Sequence, residues 1–352
     1  MHQNLERITS ANTSSEKFTS LRVGQIGVGG FGKYRRDAMR ETKLFKLVCA
    51  YDLNAQALAE CEREDGAFAA KSYEQLLEYP EIEAVIISTG AKYHAEQAIA
   101  AMRRGLHVFI EKPLCSTVEE LAMLYAAQKQ FPVVAAVAHK DHDSEAAAVE
   151  MRKFILAGEA GQVVSYEITT AHSGGLMIKP GEWRGDPLRN PGGMLFQCGV
   201  HAIHELQYHF GRVTEVACLM RYDVHSTATA DSAVCLLRHE SGVIGTLNAY
   251  HVTPYRHTFS VFGTRANLYR VDGSCGDPTE LHVQRTLLDG KKEPVVPLPI
   301  TGISDRCGNL RRFYDAIRNR TQDSSFDEGA RAVAVVFAAE EAARTGKTIT
   351  IA

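Results

Sequence analysis

The sequence predicts two halves. Residues 21–142 read as a doubly wound α/β parallel sheet, and residues 143–352 as an α+β unit with an open, mostly antiparallel sheet. Three observations predict this. Residues 21–52 read as strand, glycine turn, helix, strand and acidic residue. Apolar runs then keep alternating with helical stretches as far as Val137. After His139 the runs take strand composition and follow one another through hairpin turns, which marks a change of class.

The opening unit sets the frame. Leu21-Arg-Val-Gly-Gln-Ile26 is a short buried strand. It enters Gly27-Val-Gly29-Gly30-Phe31-Gly32, a G-x-G-x-x-G pattern, and then a helix from Lys33 to Arg40. Lys46 to Tyr51 is the next strand and closes at Asp52, 20 residues past Gly32. Gly27 permits the tight turn, Gly29 lets the backbone approach a pyrophosphate, and Gly32 lets the helix sit close to the sheet. The helix start offers unpaired N–H groups and a positive dipole end to an anion. Gly27, Gly29, Gly30, Phe31, Gly32 and Asp52 are therefore candidate dinucleotide-binding residues. A carboxylate at position 52 accepts bonds from ribose hydroxyls and repels a 2′-phosphate, so NAD is expected, with NADP as the alternative. Lys33, Arg35 and Arg36 could hold that phosphate, but their simpler reading is an exposed, solvated helix face.

The alternation continues. Asn54 caps a helix running to about Glu64. Ser72-Tyr-Glu-Gln75 resembles a capping box opening a short helix that ends before Pro80. Ala84 to Ser88 is a continuous apolar strand, as in a sheet covered on both faces. A helix spans Ala91 to Arg104, a strand Leu106 to Ile110, a helix Thr117 to Lys129, and Pro132 to Val137 is counted as a sixth strand. In such sheets ligands lie beyond the carboxyl ends of the strands, where Thr89, Lys112 and His139 fall. Ser144 to Ala157 is a helical connector. Strands are expected at 163–171, 213–222, 233–238, 243–251, 258–262, 267–271 and 281–287, with a hairpin turn at Ser241-Gly242 and a helix near 200–210. Helices at 303–320 and 327–344 and a strand at 348–351 close the chain.

Composition excludes several classes. The net charge of −3 gives no electrostatic case for nucleic acid or an anionic membrane. No apolar run approaches the ~20 residues of a membrane helix. The eight cysteines, Cys49, Cys61, Cys115, Cys198, Cys218, Cys235, Cys275 and Cys307, show no C-x-x-C or zinc spacing. Free thiols in a reducing, cytoplasmic setting are the simplest reading. Residues 1–20 are polar and Ser/Thr-rich and read as a disordered lead-in rather than a secretory signal.

Two stretches carry chemistry. Glu111-Lys112-Pro113 follows a strand. Pro113 holds Lys112 out of helical geometry, so its ammonium is presented by a stiff turn. It could bond a substrate hydroxyl, whereas a surface lysine at a turn is the bland reading. Gly192 to Glu205 brings glycines for close approach and then His201 at a helix start. Imidazole titrates near neutrality and can take a hydroxyl proton as hydride leaves; a satisfied structural histidine is the alternative. His204 and Glu205 raise a metal reading, but no third ligand follows from spacing, so no metal is expected. His139, His142 and His172 are candidates for a polar pocket, with a solvated loop as the alternative. Trp183-Arg184 could stack on a sugar and bind hydroxyls, although a single Trp more often packs in a core.

Together these motifs resemble a known family. The glycine turn, Glu111-Lys112-Pro113, the Gly-Gly…Gly-Val-His201 stretch, Phe262-Gly-Thr-Arg-Ala-Asn267 and Thr345-Gly-Lys-Thr fall in the order seen in the glucose–fructose oxidoreductase / inositol dehydrogenase / MocA (Gfo/Idh/MocA) family. The resemblance implies a Rossmann domain, a nicotinamide cofactor, sugar or cyclitol substrates, and a homodimer or homotetramer built through the open sheet. It implies Lys112 and His201 as catalytic residues. Thr89, His94, Glu111 and Lys112 join the glycine turn and Asp52 in cofactor binding, and His139, Trp183, Arg184 and Gln197 join Lys112 and His201 in substrate binding. Many members carry Asp four residues before the histidine and three after it, where this chain has Gln197 and His204. Gln adds no charge, so His201 is expected to be a weaker base at rest. Three functions follow: hydride transfer at a sugar or cyclitol hydroxyl carbon, glycoside cleavage through transient oxidation and elimination, or a non-catalytic nucleotide sensor.

Overall fold

The computed structural model describes residues 20–273, 277–287 and 293–351. The lead-in up to residue 19 and Cys275 lie outside them.

The first sheet is wholly parallel. Its strands are β1 (Leu21–Ile26), β2 (Phe45–Tyr51), β3 (Phe68–Ala69), β4 (Ala84–Ile87), β5 (His107–Ile110) and β6 (Ala135–Val137). They lie in the order β3-β2-β1-β4-β5-β6. Six strands match the expected count; β3, only two residues long, carries no apolar run that marks it in the sequence. The crossover helices are α1 (Phe31–Thr42), α2 (Ala55–Asp65), α3 (Tyr73–Leu77), α4 (Ala91–Arg103) and α5 (Val118–Gln130). Their starts are set by side chains. Asn54 Oδ1 accepts from the N–H groups of Gln56 and Ala57 at 3.0 and 3.2 Å. Ser72 Oγ accepts from Gln75 N, while Gln75 Oε1 accepts from Lys71 N, a capping box displaced by one residue. The strand order reverses between β1 and β4, so a crevice opens beyond their carboxyl ends.

The second sheet has nine strands. They are β7 (Val163–Ala171), β8 (Val213–Arg221), β9 (Ser232–His239), β10 (Ile244–Tyr250), β11 (Arg256–Gly263), β12 (Ala266–Asp272), β13 (Glu280–Arg285), β14 (Val295–Pro297) and β15 (Ile349–Thr350), in the order β14-β13-β12-β11-β7-β10-β9-β8-β15. Within it β7 and β10 run parallel, while the other pairings are antiparallel. Helix α6 (Ala146–Leu156) enters this half, and α7 (Val200–Phe210), α8 (Gly308–Asn319) and α9 (Ser325–Thr345) follow. One sheet face is covered: Tyr166, Phe210 and Phe259 meet there in ring contacts of 5.2–6.4 Å. The other is open. Along β9, Val234, Leu236 and Arg238 point out while Ala233, Cys235 and Leu237 are buried.

Helix α8 returns to the first sheet. Phe313 lies 5.4 Å from Phe109 and 6.5 Å from Phe45, both beneath it. Burying such a ring contributes about 1.5–3 kcal/mol. The helix starts at Gly308, not at residue 303. Asp305 takes the Cys307 N–H on its side chain at 2.9 Å and the Gly308 N–H on its carbonyl at 3.1 Å, so it forms a turn before the helix. Ile303, read as helical, is 97% exposed.

Candidate active site

The glycine turn has the geometry its residues require. Gly27 has φ +83°, and a Cβ there would lie 2.7 Å from the Ser88 carbonyl oxygen. A Cβ on Gly32 would meet the Gly27 carbonyl oxygen at 2.2 Å, so only glycine lets α1 start this close to β1. Asp52 Oδ2 accepts from Val28 N at 2.7 Å and Gly29 N at 3.0 Å, and Oδ1 accepts from Asn54 N at 2.8 Å. The carboxylate thus fastens the turn to the start of α2. A carboxylate has about four acceptor sites; three N–H bonds leave capacity for a ribose hydroxyl.

The cations on α1 correct the sequence reading. Arg35 and Arg36 are buried, not a solvated face. Arg36 donates to Asp65 and Glu64, each at 2.6 Å. Arg35 Nε and Nη2 both donate to Glu111 Oε1, at 2.9 and 2.7 Å. Lys33 is paired with Glu60. Each of these cations already has a carboxylate partner.

Glu111 therefore sits below the lysine turn as half of a buried ion pair. Lys112 and Pro113 are joined by a cis peptide bond. His94 is buried beside them, with Nδ1 2.9 Å from the Pro113 carbonyl and Nε2 2.9 Å from the Thr89 carbonyl. It ties the turn after β5 to the turn after β4. Thr89 Oγ1 donates to Gln97 at 2.7 Å.

Across the crevice, Gly192 and Gly193 have φ +70° and +58°. A Cβ on Gly193 would fall 2.0 Å from the Ala230 carbonyl oxygen. The chain then winds one wide turn of π type, Leu195–Gly199, before α7. Such turns often mark functional sites. This one carries Gln197, whose carbonyl accepts from Lys112 Nζ at 2.8 Å. Two of the three lysine N–H groups remain for another partner. Gln197 Nε2 is buried without a partner among the described residues.

The cavity between the halves is about 740 Å³. Phe31, Thr89, Glu111 and Lys112 line one side, and Trp183, Arg184 and Gln197 the other. Trp183 is 39% exposed, with the Arg184 guanidinium 4.6 Å from its ring centroid, so it is no core residue. His172, Cys198 and His251 also line the cavity. His172 was expected in a polar pocket. Cys198 and His251 were missed; the only signal for Cys198 was its place beside Gln197.

His94 and His139 are buried close by, and His201 lies near enough to Lys112 to feel its charge. His201 is half-buried, and its Nδ1 lies 3.3 Å from Nδ1 of His139. Burial pushes both imidazoles well below the ordinary histidine range; the Lys112 charge adds to this for His201, and His204 and His201 add to it for His139. A neutral resting His201 is the form that can accept a proton. His204 and Glu205 part company: His204 pairs with Glu328 at 3.1 Å and Glu205 with Arg270 at 2.9 Å. Among the described residues no group of three or more His, Cys, Asp or Glu is placed to hold a metal ion.

A doubly wound sheet with a glycine turn, facing an open sheet domain across such a cavity, is the architecture of nicotinamide-dependent dehydrogenases acting on CH–OH groups. The family model for the oxidoreductase family with an NAD-binding Rossmann fold matches residues 21–139, and that for the GFO/IDH/MocA C-terminal domain matches residues 148–269. The chain belongs to the Gfo/Idh/MocA oxidoreductase family. A scyllo-inositol 2-dehydrogenase (NAD(+)) of Bacillus subtilis is 27% identical over 310 residues, which cover 85% of this chain and 86% of that one. Levoglucosan dehydrogenase in complex with NADH superposes with a TM-score of 0.83 at 24% identity, covering 95% of this chain and 100% of that one. An oxidoreductase of Desulfitobacterium hafniense described as NADPH-dependent gives 0.87 at 24% identity, covering 94% and 98%. These two likenesses show the fold. Since they differ in nicotinamide, the choice of coenzyme rests on this chain's own residues. No helix among the described residues is long and apolar enough to cross a membrane.

Proposed function

We propose that this protein is an NAD-dependent dehydrogenase of a polyhydroxylated ring, a sugar or cyclitol. The observation that carries the proposal is the Lys112 ammonium, anchored on the Gln197 carbonyl in a cavity that Phe31 of the glycine turn also lines, with a neutral His201 close by. Gly27, Gly29, Gly30, Phe31, Gly32 and Asp52 would hold NAD, together with Thr89 and the turn that His94 braces. When bound, NAD⁺ supplies the hydride acceptor. NADP is disfavoured because a carboxylate stands at position 52 and Lys33, Arg35 and Arg36 are already paired.

Lys112 donates to the substrate hydroxyl oxygen and steadies negative charge on it as the carbonyl forms. His201 receives the hydroxyl proton. The unpartnered Gln197 Nε2 donates to a neighbouring substrate oxygen, since an orphaned buried donor costs about 1–3 kcal/mol until it is met. Trp183 offers an apolar face to the ring and Arg184 a hydroxyl-binding fork. His139 acts through His201 rather than at the cavity wall. Exposed Leu219, Val234, Leu236 and Ile244 on the open sheet support self-association into a homodimer or homotetramer. The seven free cysteines among the described residues suit a reducing, cytoplasmic setting.

The test is nicotinamide reduction followed across inositols, aldoses, uronic acids and glycosides, with NAD⁺ and NADP⁺ in parallel. The proposal expects stoichiometric NADH from at least one free polyol. Release of an aglycone with no net NADH would replace it with cleavage by transient oxidation. Binding without any turnover would replace it with a sensor.

A further inference from the structure

Oxidation of a hydroxyl carbon breaks a C–H bond, whose electron pair leaves as hydride to the nicotinamide, and an O–H bond, whose proton must leave the enzyme. On the reading above that proton reaches His201. One route that does not cross the cavity leads from His201 toward His139.

That side holds a stack of imidazoles. His201 and His139 meet edge to face, Nδ1 to Nδ1 at 3.3 Å. For two neutral rings one nitrogen must donate and the other accept, so the bond can reverse direction. His139 stacks on His204 with centroids 4.5 Å apart and planes 8° from parallel. His142 also lies against His204, with centroids 4.8 Å apart and planes tilted by 31°. His204 Nε2 bonds Glu328 Oε2 at 3.1 Å, and Glu328 Oε1 accepts from Ser324 at 2.7 Å. Glu328 is 29% exposed and, with His142, His204 and Tyr208, lines a second cavity of about 230 Å³. This cavity shares no lining residue with the cleft that holds Lys112.

Three ring nitrogens in the stack, His139 Nε2, His142 Nε2 and His204 Nδ1, are buried without a partner among the described residues. Buried polar atoms are nearly always met, by ordered water where protein fails. Stacked rings do not bond each other directly, but a water touching these nitrogens would join them. Metal binding is the other usual reason to gather imidazoles, and among the described residues no group has that geometry.

We propose that His139, His204 and Glu328 form a proton exit, carrying the hydroxyl proton from His201 through one bridging water to the second cavity and bulk solvent. The proton taken from the substrate is the proton released, and the hydride goes to the nicotinamide, so the balance closes. His139, His204 and Glu328 act through His201 and are positioning residues rather than catalytic ones. The inference rests on His201 being the proton acceptor.

Two measurements on the full chain test it, using Glu328→Gln, which keeps the shape, and His204→Asn. The first is histidine ring-nitrogen NMR on the cofactor-free protein, reporting tautomer and charge. The proposal expects Glu328→Gln to shift His204, His139 and His201 together. The second is stopped flow with scyllo-inositol and levoglucosan as probes, reading NADH and a pH indicator at once. The proposal expects proton release to lag behind NADH formation, turnover to fall about tenfold to a hundredfold, and added imidazole to restore it. Shifts confined to His204, or a loss that imidazole does not rescue, would overturn it. If the unaltered enzyme oxidises neither probe nor any polyol of the panel, the dehydrogenase reading fails, and the NMR arm alone decides whether the network couples His201 to Glu328.

Discussion

Breaking the Arg35–Glu111 pair should cost far more than either residue's charge suggests. The two side chains are 3% and 6% exposed, and both guanidinium bonds end on one carboxylate oxygen. Removing one partner leaves the other charge buried and unmet, which costs about 3–5 kcal/mol. Removing both leaves only a packing change if the volumes are matched. Glu111→Leu and Arg35→Met should each therefore destabilise by about 3–5 kcal/mol, while the double variant recovers at least about 2 kcal/mol of their sum. Arg35 Nη1 also reaches Asn309 on α8 at 3.5 Å, so the single Glu111 variant should loosen that helix too. Chemical denaturation of the four proteins gives the coupling energy directly. NAD affinity, measured alongside, should fall with the singles and recover in the double, because Glu111 supports the Lys112 turn from below. Two single variants each costing under about 1 kcal/mol, with additive effects, would refute the claim that this pair holds the turn.

Further predictions follow from the same geometry. Lys112→Met and His201→Asn should each lower kcat on an accepted polyol by about a hundredfold or more while NAD affinity stays within a few-fold; unchanged kcat in steady-state assays would remove both from the chemistry. Acid should destabilise the protein early. His139 and His142 are buried with depressed proton affinity, so below the ordinary histidine pKa of about 6.5 the unfolded chain binds protons that the folded chain does not. Their contribution is present above about pH 6.5 and is lost progressively as pH falls below it. Thermal melts between about pH 7.5 and 5.5 should show the drop, and a flat melting temperature would contradict it.

Much of the fold could be read along the chain because its signals are local. The G-x-G-x-x-G turn, the caps at Asn54 and Ser72, and the hairpin turn at Ser241-Gly242 each lie within about ten residues. What escaped reading depends on distant partners. Arg35 and Arg36 look like a solvated face until Glu111, Glu64 and Asp65 are brought beside them. His204 beside Glu205 looks like a ligand pair until Glu328 and Arg270 draw them apart. Trp183 had no periodic pattern to show that it faces a cavity. The return of α8 onto the first sheet also left no local trace, because its Phe313 contacts come from strands more than two hundred residues earlier.

The account stands on coenzyme binding at the glycine turn. Titration calorimetry of the cofactor-free protein with NAD⁺, NADH and NADP⁺, repeated on Asp52→Ala, tests it most directly. The account predicts saturable binding of NAD⁺ and NADH, weaker binding of NADP⁺, and a preference that shrinks about tenfold once Asp52 is removed. No heat with any coenzyme, or NADP⁺ binding more tightly than NAD⁺ to the unaltered protein, would contradict it.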